Sequence, residues 1–261
     1  MTVRAIKTRI FREGEDIVVF IRRHVPVLKN GSVLAVTSKI VALSEGRTRK
    51  IRNKKEKIKI IKEESAWALQ THPEWWWTEK DGMLLVNAGI DDSNAKGKLV
   101  LLPRDSFASA RKLRSSLLSA YAPPSRKASG GHGKASADRR HHKIRKLGVV
   151  ITDSRISPMR AGVTGVALGY AGFRGVRDYR GKKDLFGRKL KVTLTDVADS
   201  LATAATLVMG EGAERQPLAI IEDAPVFFTE RMNPKEVLIS PKDDMYAPLF
   251  RRLGARKKPK R

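Results

Sequence analysis

An apolar run, Gly148-Val-Val-Ile-Thr152, stops at Asp153-Ser154, which places a carboxylate and a hydroxyl at the end of a buried strand. Arg155, Arg160, Arg174, Arg177 and Arg180 follow among Gly162, Gly165, Gly169, Gly172, Gly175 and Gly181. Guanidinium groups are forked donors for phosphate or carboxylate, and glycine permits positive φ and a close backbone approach to a ligand. Two earlier segments have the same chemistry. Ser38-Lys39 follows the apolar strand Ser32–Thr37, where a hydroxyl, an ammonium and free backbone N–H groups can meet phosphate; a capped helix carrying one solvated lysine is the alternative. Asn87-Ala-Gly-Ile-Asp91-Asp-Ser-Asn94 follows the strand Met83–Val86, and Asp91 there either binds a hard cation or belongs to an Asx-rich turn. These residue types suit a polyphosphate and its metals.

The elements that must position them can be read in order. Residues 3–11 read as a strand with Val3, Ala5 and Ile10 alternating. Gly14-Glu-Asp16 starts a helix with Ile17, Phe20, Ile21 and His24 on one face, and Ile58, Ile61, Ser65 and Leu69 predict an amphipathic helix with a basic outer side. Three consecutive indoles, Trp75 to Trp77, cannot all face one core, so at least one is expected at the surface or an interface. Asp105-Ser106 starts a helix that runs to about Ala120. Lys189 to Leu194 alternates as a strand, and Thr195-Asp196 caps a helix with Val197, Leu201, Ala204, Ala205 and Val208 as its buried stripe, ending at Gly210-Glu211-Gly212. Pro217 to Ile221 is a last core strand.

Composition limits the class. The chain has 261 residues, of which 41% are apolar, enough for a full core, and no apolar run reaches the length of a membrane span. The N-terminus has Arg4, Lys7 and Arg9 but no apolar stretch or small-residue cleavage site after them, so no signal peptide is expected. The absence of cysteine excludes disulfides, thiolate zinc sites and cysteine nucleophiles, and fits a reducing cytoplasm. With 53 Lys+Arg against 27 Asp+Glu the formal charge is +26, a field that attracts polyanions. Nucleic acid is one such partner and an acidic small molecule, polymer or nucleotide another. Residues 121–147 carry Pro123-Pro124, Gly130-Gly131 and eight Lys/Arg against the single acid Asp138, the composition of a flexible basic insert. His132, His141 and His142 within it lack the partners of a metal site. Residues 224–261 read as a C-terminal extension with a basic tail.

An ordered set of segments resembles the coenzyme F-420-0:gamma-glutamyl ligase family. The segments are Ser38-Lys39 with Ser44-Glu-Gly-Arg47, Asn87 to Asp91 with Ser93-Asn94, Leu102-Pro103 with Asp105 and Ser109-Ala110, Gly148 to Ser154, Arg180-Gly181 with Asp184 and Gly187-Arg188, and Ala198-Asp199 to Met209-Gly210. They cover most of residues 3–221. The resemblance implies an α+β fold with mixed sheets and flanking helices in an intertwined, two-lobed homodimer, with 1–120 and 148–223 as one domain.

It also implies a GTP-dependent amide ligase that joins L-glutamate to a carboxylate acceptor through an acyl phosphate. The acceptor is coenzyme F-420-0 or a growing polyglutamate chain. Carried over by motif, Asp91, Asp153, Ser154 and Glu211 are the ligands of Mg2+ or Mn2+, and K+ assists. GTP contacts fall on Thr8, Arg9, Ile10, Phe11, Ser38, Lys39, Asn94, Met209, Gly210, Glu211, Gly212 and Ala213. Asp153, Arg160 and Arg180 take the catalytic roles, the two arginines orienting acidic substrates. The sequence departs from the family at Ile156-Ser157 and Leu43, and in the basic insert and the tryptophan segment. A retained nucleotide and metal core with a changed acceptor site is the expectation. A nucleic-acid- or ribosome-associated protein on the same fold is the alternative, for which no recognition motif is present.

Overall fold

The computed structural model describes residues 1–93, 95, 97–122, 144–240 and 243–252. Asn94, most of the basic insert with its three histidines, and the basic tail lie outside the described residues. In chain order the elements begin with β1 (Thr2–Ile6), α1 (Ile17–His24), β2 (Ser32–Thr37), α2 (Ser38–Ser44), β3 (Thr48–Lys50) and α3 (Lys54–Glu63). Then come β4 (Trp67–Gln70), β5 (Trp76–Lys80), β6 (Met83–Val86), β7 (Lys98–Val100) and α4 (Ser106–Ala120). The last are β8 (Leu147–Ile156), β9 (Val163–Ala171), β10 (Val176–Asp178), β11 (Leu194–Asp196), α5 (Val197–Met209), β12 (Leu218–Glu222) and α6 (Ala247–Arg252). The expected mixed α+β class is therefore present.

The core is a five-stranded sheet in the order β1-β12-β2-β8-β9. Only β2 and β8 run parallel, with Thr37 beside Thr152 at their shared end. Strand side chains alternate faces, and here both faces are apolar. Leu34, Val36, Val149, Ile151, Leu218 and Ile220 pack with Phe20 and Ile21 of α1 and with Ala110, Leu113 and Leu117 of α4. Val33, Ala35, Val150, Ala219 and Ile221 pack with Ala198, Leu201, Ala202, Ala205 and Met209 of α5. Burial on both faces explains why these strands read as near-continuous apolar runs.

The predicted caps operate. The carboxylates of Asp16, Asp105 and Asp196 accept backbone N–H groups in the first turns of α1, α4 and α5. His24 sits at the edge of its helix face, with Nδ1 2.9 Å from the Phe20 carbonyl. The indoles separate as their spacing requires: Trp76 is buried, Trp77 is half-buried and Trp75 is 55% exposed.

Several boundaries differ from expectation. The first strand ends at Ile6, and Ile10 is exposed, because Thr8 already pairs its N–H with the Arg215 carbonyl outside the sheet. The basic helix α3 stops at Glu63, and Leu69 belongs to β4. Strand β8 does not stop at Asp153; it continues to Ile156 because β9 pairs with it past a register shift between Ile151 and Thr152. Of Lys189 to Leu194 only Leu194 is in a strand. The buried stripe of α5 is rotated to Ala198, Leu201, Ala202, Ala205 and Met209; Val208 is 38% exposed, since alanines as well as the larger residues meet the sheet.

The largest correction concerns the glycines. Gly165 and Gly169 lie on β9, a strand the sequence pattern conceals. A Cβ at Gly165 would stand 2.4 Å from the Ala202 carbonyl oxygen of α5, and one at Gly169 would stand 2.4 Å from the backbone of Ser106 at the start of α4. These two glycines let helices approach the sheet; they do not cradle a ligand.

The segment after β12 also packs on this frame. Arg114, buried on α4, makes a bidentate pair with Glu230 and donates to the Leu147 carbonyl at 2.6 Å. Glu236 accepts from Tyr170 Oη at 2.7 Å and from the Gly175 N–H at 2.6 Å. Among the described residues no helix is long and apolar enough to cross a membrane.

Candidate active site

A cavity of about 730 Å3 opens where the pairing of β2 with β8 ends, at Thr37 and Thr152. It is a suitable size for a nucleotide-sized ligand. Five separated segments supply most of its wall: Thr8 to Phe11 after β1, Thr37 to Ile40 at the start of α2, Asp91 and Ser93, Thr152 to Ser154 on β8, and Met209 to Pro217 at and after the end of α5. The apolar part of the wall is Ile10, Phe11, Leu43, Leu101 and Leu102.

Asp153 and Ser154 project from adjacent positions of β8, so alternation sends them to opposite sides of the strand. The Ser154 hydroxyl donates to Glu211 Oε1 at 2.6 Å, tying β8 to the segment that follows α5. Gly210 ends that helix at φ 78, which turns the chain toward the cavity. Burial is the main influence on the Asp153 carboxyl. Together with the negative charge of Asp91 it outweighs the Ser154 N–H, the Lys39 ammonium and the Ser38 hydroxyl, and pushes the carboxyl up to about 7.

Asp91 is the opposite case. Burial pulls its carboxyl upward, but the Lys39 ammonium and the N–H and hydroxyl of Ser93 prevail and hold it below the usual carboxylate range. Lys39 Nζ is 2.6 Å from Asp91 Oδ2, and the Ser93 N–H donates to Asp91 Oδ1 at 2.6 Å. Asp91 is fixed by a backbone bridge to Val100 of β7. The cation and Asx-turn readings of Asp91 are thus compatible, since the turn aims the carboxylate.

The structure therefore brings Thr8, Arg9, Ile10, Phe11, Ser38, Lys39, Asp91, Asp153, Ser154, Met209, Gly210, Glu211, Gly212 and Ala213 to one cavity. Asn94 lies outside the described residues. Arg160 and Arg180 do not line it: both are exposed, and Arg180 pairs with Asp178 at 2.7 Å. Arg155 turns to Asp199 at 3.2 Å and lines a separate cavity of about 270 Å3 beside β9.

Sequence reasoning missed Thr37, Gly89, Thr152 and Thr206 as wall residues. Thr37 and Thr152 carried a usable signal, since each is the polar last residue of an apolar strand run.

Among the described residues no group of three or more His, Asp or Glu side chains is gathered closely enough to hold a metal ion alone. The available donors are hard oxygens: the carboxylates of Asp91, Asp153 and Glu211 and the hydroxyl of Ser154. Such donors suit Mg2+ or Mn2+, which take one or two protein carboxylates and complete their shell with phosphate oxygens and water in nucleotide sites.

The family model described as F420-0:Gamma-glutamyl ligase matches residues 5–123 and 132–223. Three similar proteins each bear the name coenzyme F420:L-glutamate ligase. One from Methanococcus maripaludis strain C6 is 33% identical over 235 residues, covering 90% of this chain and 86% of the relative. One from Archaeoglobus fulgidus is 34% identical over 229 residues, covering 81% and 83%. One from Methanopyrus kandleri is 33% identical over 235 residues, covering 81% and 82%.

Proposed function

Because this chain belongs to the F420-0:Gamma-glutamyl ligase family, we propose that it is a GTP-dependent ligase forming an amide bond between L-glutamate and a carboxylate acceptor. The acceptor is coenzyme F420-0 or its glutamylated products. The observation that carries this reading is the convergence of Ser38, Lys39, Asp91, Asp153, Ser154 and Glu211 on one nucleotide-sized cavity.

In the proposed reaction an acceptor carboxylate oxygen attacks the γ-phosphorus of GTP and GDP leaves. The glutamate amine then attacks the carbonyl of the resulting acyl phosphate, inorganic phosphate leaves, and the nitrogen loses a proton. Phosphoryl transfer of this kind depends on alignment and charge neutralisation more than on covalent help from the protein.

Thr8 to Phe11 and Met209 to Ala213 form the nucleotide walls, Ser38 and Lys39 face the phosphates, and Asp91, Asp153, Ser154 and Glu211 hold divalent metal. When bound, Mg2+ or Mn2+ would neutralise phosphate charge and bring the reacting oxygens together; K+ is the proposed auxiliary ion. Arg160 and Arg180 remain candidates for orienting acidic substrates from exposed loops.

The exposed cations Arg49, Lys50, Arg52, Lys54 and Lys55 on β3, α3 and the turn between them favour an acidic acceptor. β3, which carries Arg49 and Lys50, pairs with β7, whose Val100 lines the cavity, and Lys57 of α3 binds Asp92 at 2.6 Å next to Asp91. The proposed homodimer has support in Leu185 and Phe186. Both are more than nine-tenths exposed, on the excursion between β10 and β11.

The direct test is the mass of products from L-glutamate, GTP and Mn2+ with and without the deazaflavin acceptor. Addition of glutamyl residues to the acceptor with matching GDP release is expected. Absence of any glutamylated product, with GTP intact, overturns the reading.

A pH dependence follows from Asp153. Metal competes with the proton on this carboxyl, whose value is about 7. Mn2+ affinity is expected to be flat above that pH and to fall by about tenfold per unit below it. Asp91, held in its charged form, adds nothing over that range. Electron paramagnetic resonance titrations of free Mn2+ between about pH 5.5 and 8.5 read this out, and a constant affinity through neutrality refutes Asp153 as a ligand.

A further inference from the structure

The Lys39 ammonium sits in a cage of oxygens. Besides Asp91 Oδ2 at 2.6 Å it meets the Ser93 carbonyl oxygen at 3.1 Å and the Ser93 hydroxyl at 3.2 Å. The Ser93 hydroxyl itself donates to Asp91 Oδ2 at 3.0 Å, and the Ser93 N–H holds the other carboxylate oxygen. Carboxylate, carbonyl and hydroxyl oxygens converging on one point are a cation's donor set, and here the cation is a side chain. Asp153 feels both members of this pair, Asp91 raising its carboxyl and Lys39 lowering it.

The geometry points to Lys39 as an internal counter-ion that occupies the Asp91 cation position until divalent metal arrives and then passes to the phosphates of the nucleotide. Three features support the exchange. An ammonium and a divalent cation cannot share Asp91 Oδ2, since like charges at that distance repel strongly. The Lys39 side chain is 27% exposed and that of Asp91 41%, so the competition occurs in the cavity wall and is only partly screened. Its flexible four-carbon stem carries the charge from one partner to another, and Ser38 lines the same cavity wall beside it.

The consequence is coupling. Metal alone must displace Lys39 from its only ion-pair partner among the described residues, whereas metal arriving with a polyphosphate gives the displaced ammonium a new partner. Binding of the two is then mutually reinforcing. This deepens the ligase reading and rests on it for Asp91 as a metal ligand and for the identity of the phosphate ligand.

The test is Mn2+ binding to the full-length protein without nucleotide or substrates, comparing wild type with Lys39→Met and Lys39→Gln. Removing the competing charge is expected to tighten Mn2+ binding about two- to fivefold in both variants, the size of one partly exposed ion pair lost from the metal-free state. At saturating Mn2+ the affinity for GDP is expected to fall in the same variants. Unchanged or weaker Mn2+ binding in variants with native circular dichroism overturns the proposal. No turnover is needed, so this outcome is separate from a failure to form glutamylated product. If Lys39→Met does not fold, Lys39→Gln, which keeps a polar end in the cage, decides alone.

Discussion

Asp153→Asn is expected to lower the rate of GTP-dependent glutamylation by about a thousandfold or more while leaving the protein folded. The size follows from the role. A carboxylate that neutralises charge through a metal at the transferring phosphate contributes several kcal/mol to the transition state, and about 4 kcal/mol corresponds to a thousandfold in rate. The stability effect has the opposite sign.

The Asp153 carboxyl stands at about 7 against an ordinary 3.8. A carboxyl raised in the folded state gives stability that is fully present below the unfolded value and is lost as pH rises through the folded one. At pH 8 the wild-type protein therefore holds an unfavourable charge on half-buried Asp153 beside Asp91, and the asparagine variant removes it. Its Tm at pH 8 is expected to equal or exceed the wild-type value. A variant with activity within tenfold of wild type removes Asp153 from the mechanism. One that loses activity together with Tm shows instead that the residue supports the fold. A functional group that costs stability in the resting protein is the usual sign of a site built for its ligand.

Gly169→Ala is expected to cost about 3 kcal/mol of stability for a single added methyl group. The new Cβ would stand 2.4 Å from the carbonyl carbon and oxygen of Ser106 and 2.6 Å from the Phe107 nitrogen. All three are backbone atoms, and Asp105 caps the helix that begins there, so relief requires moving α4 away from β9. Gly212→Ala is the control. Its Cβ would meet only the end of the Glu214 side chain at 3.4 Å, and the change is expected to stay within about 0.5 kcal/mol. Urea midpoints of the two variants test the comparison, and equal midpoints would show that α4 yields freely. The same shift should disturb the cavity, because β9 pairs with β8 across Asp153 and Ser154.

Much of the site was legible because its parts are local patterns. Asp153-Ser154 and Ser38-Lys39 mark where apolar runs turn polar, and such a transition is where a sheet can present polar side chains to a ligand. Asp16, Asp105 and Asp196 announce helix starts through spacing alone, and the structure uses all of them. The buried strands Ser32–Thr37 and Leu218–Glu222 were legible for the same reason, since burial on both faces leaves an uninterrupted apolar run.

Glycine was not legible in this way. It serves a turn, a ligand or a close helix with the same absence of a side chain, so Gly165 and Gly169 read as parts of a binding loop when they are packing contacts. Residue type and spacing thus determined that carboxylates, hydroxyls and a lysine would stand just beyond apolar runs. They did not determine which of these groups would meet. Lys39 reaches Ser93 across 54 positions of sequence and Ser154 reaches Glu211 across 57. The first meeting is decided by the pairing of β3, just after α2, with β7 and by the bridge from Asp91 to Val100, and the second by the docking of α5 against the sheet that holds β8. Local periodicity records which face of an element is buried; the order in which elements assemble is fixed only by the packing of those faces against one another.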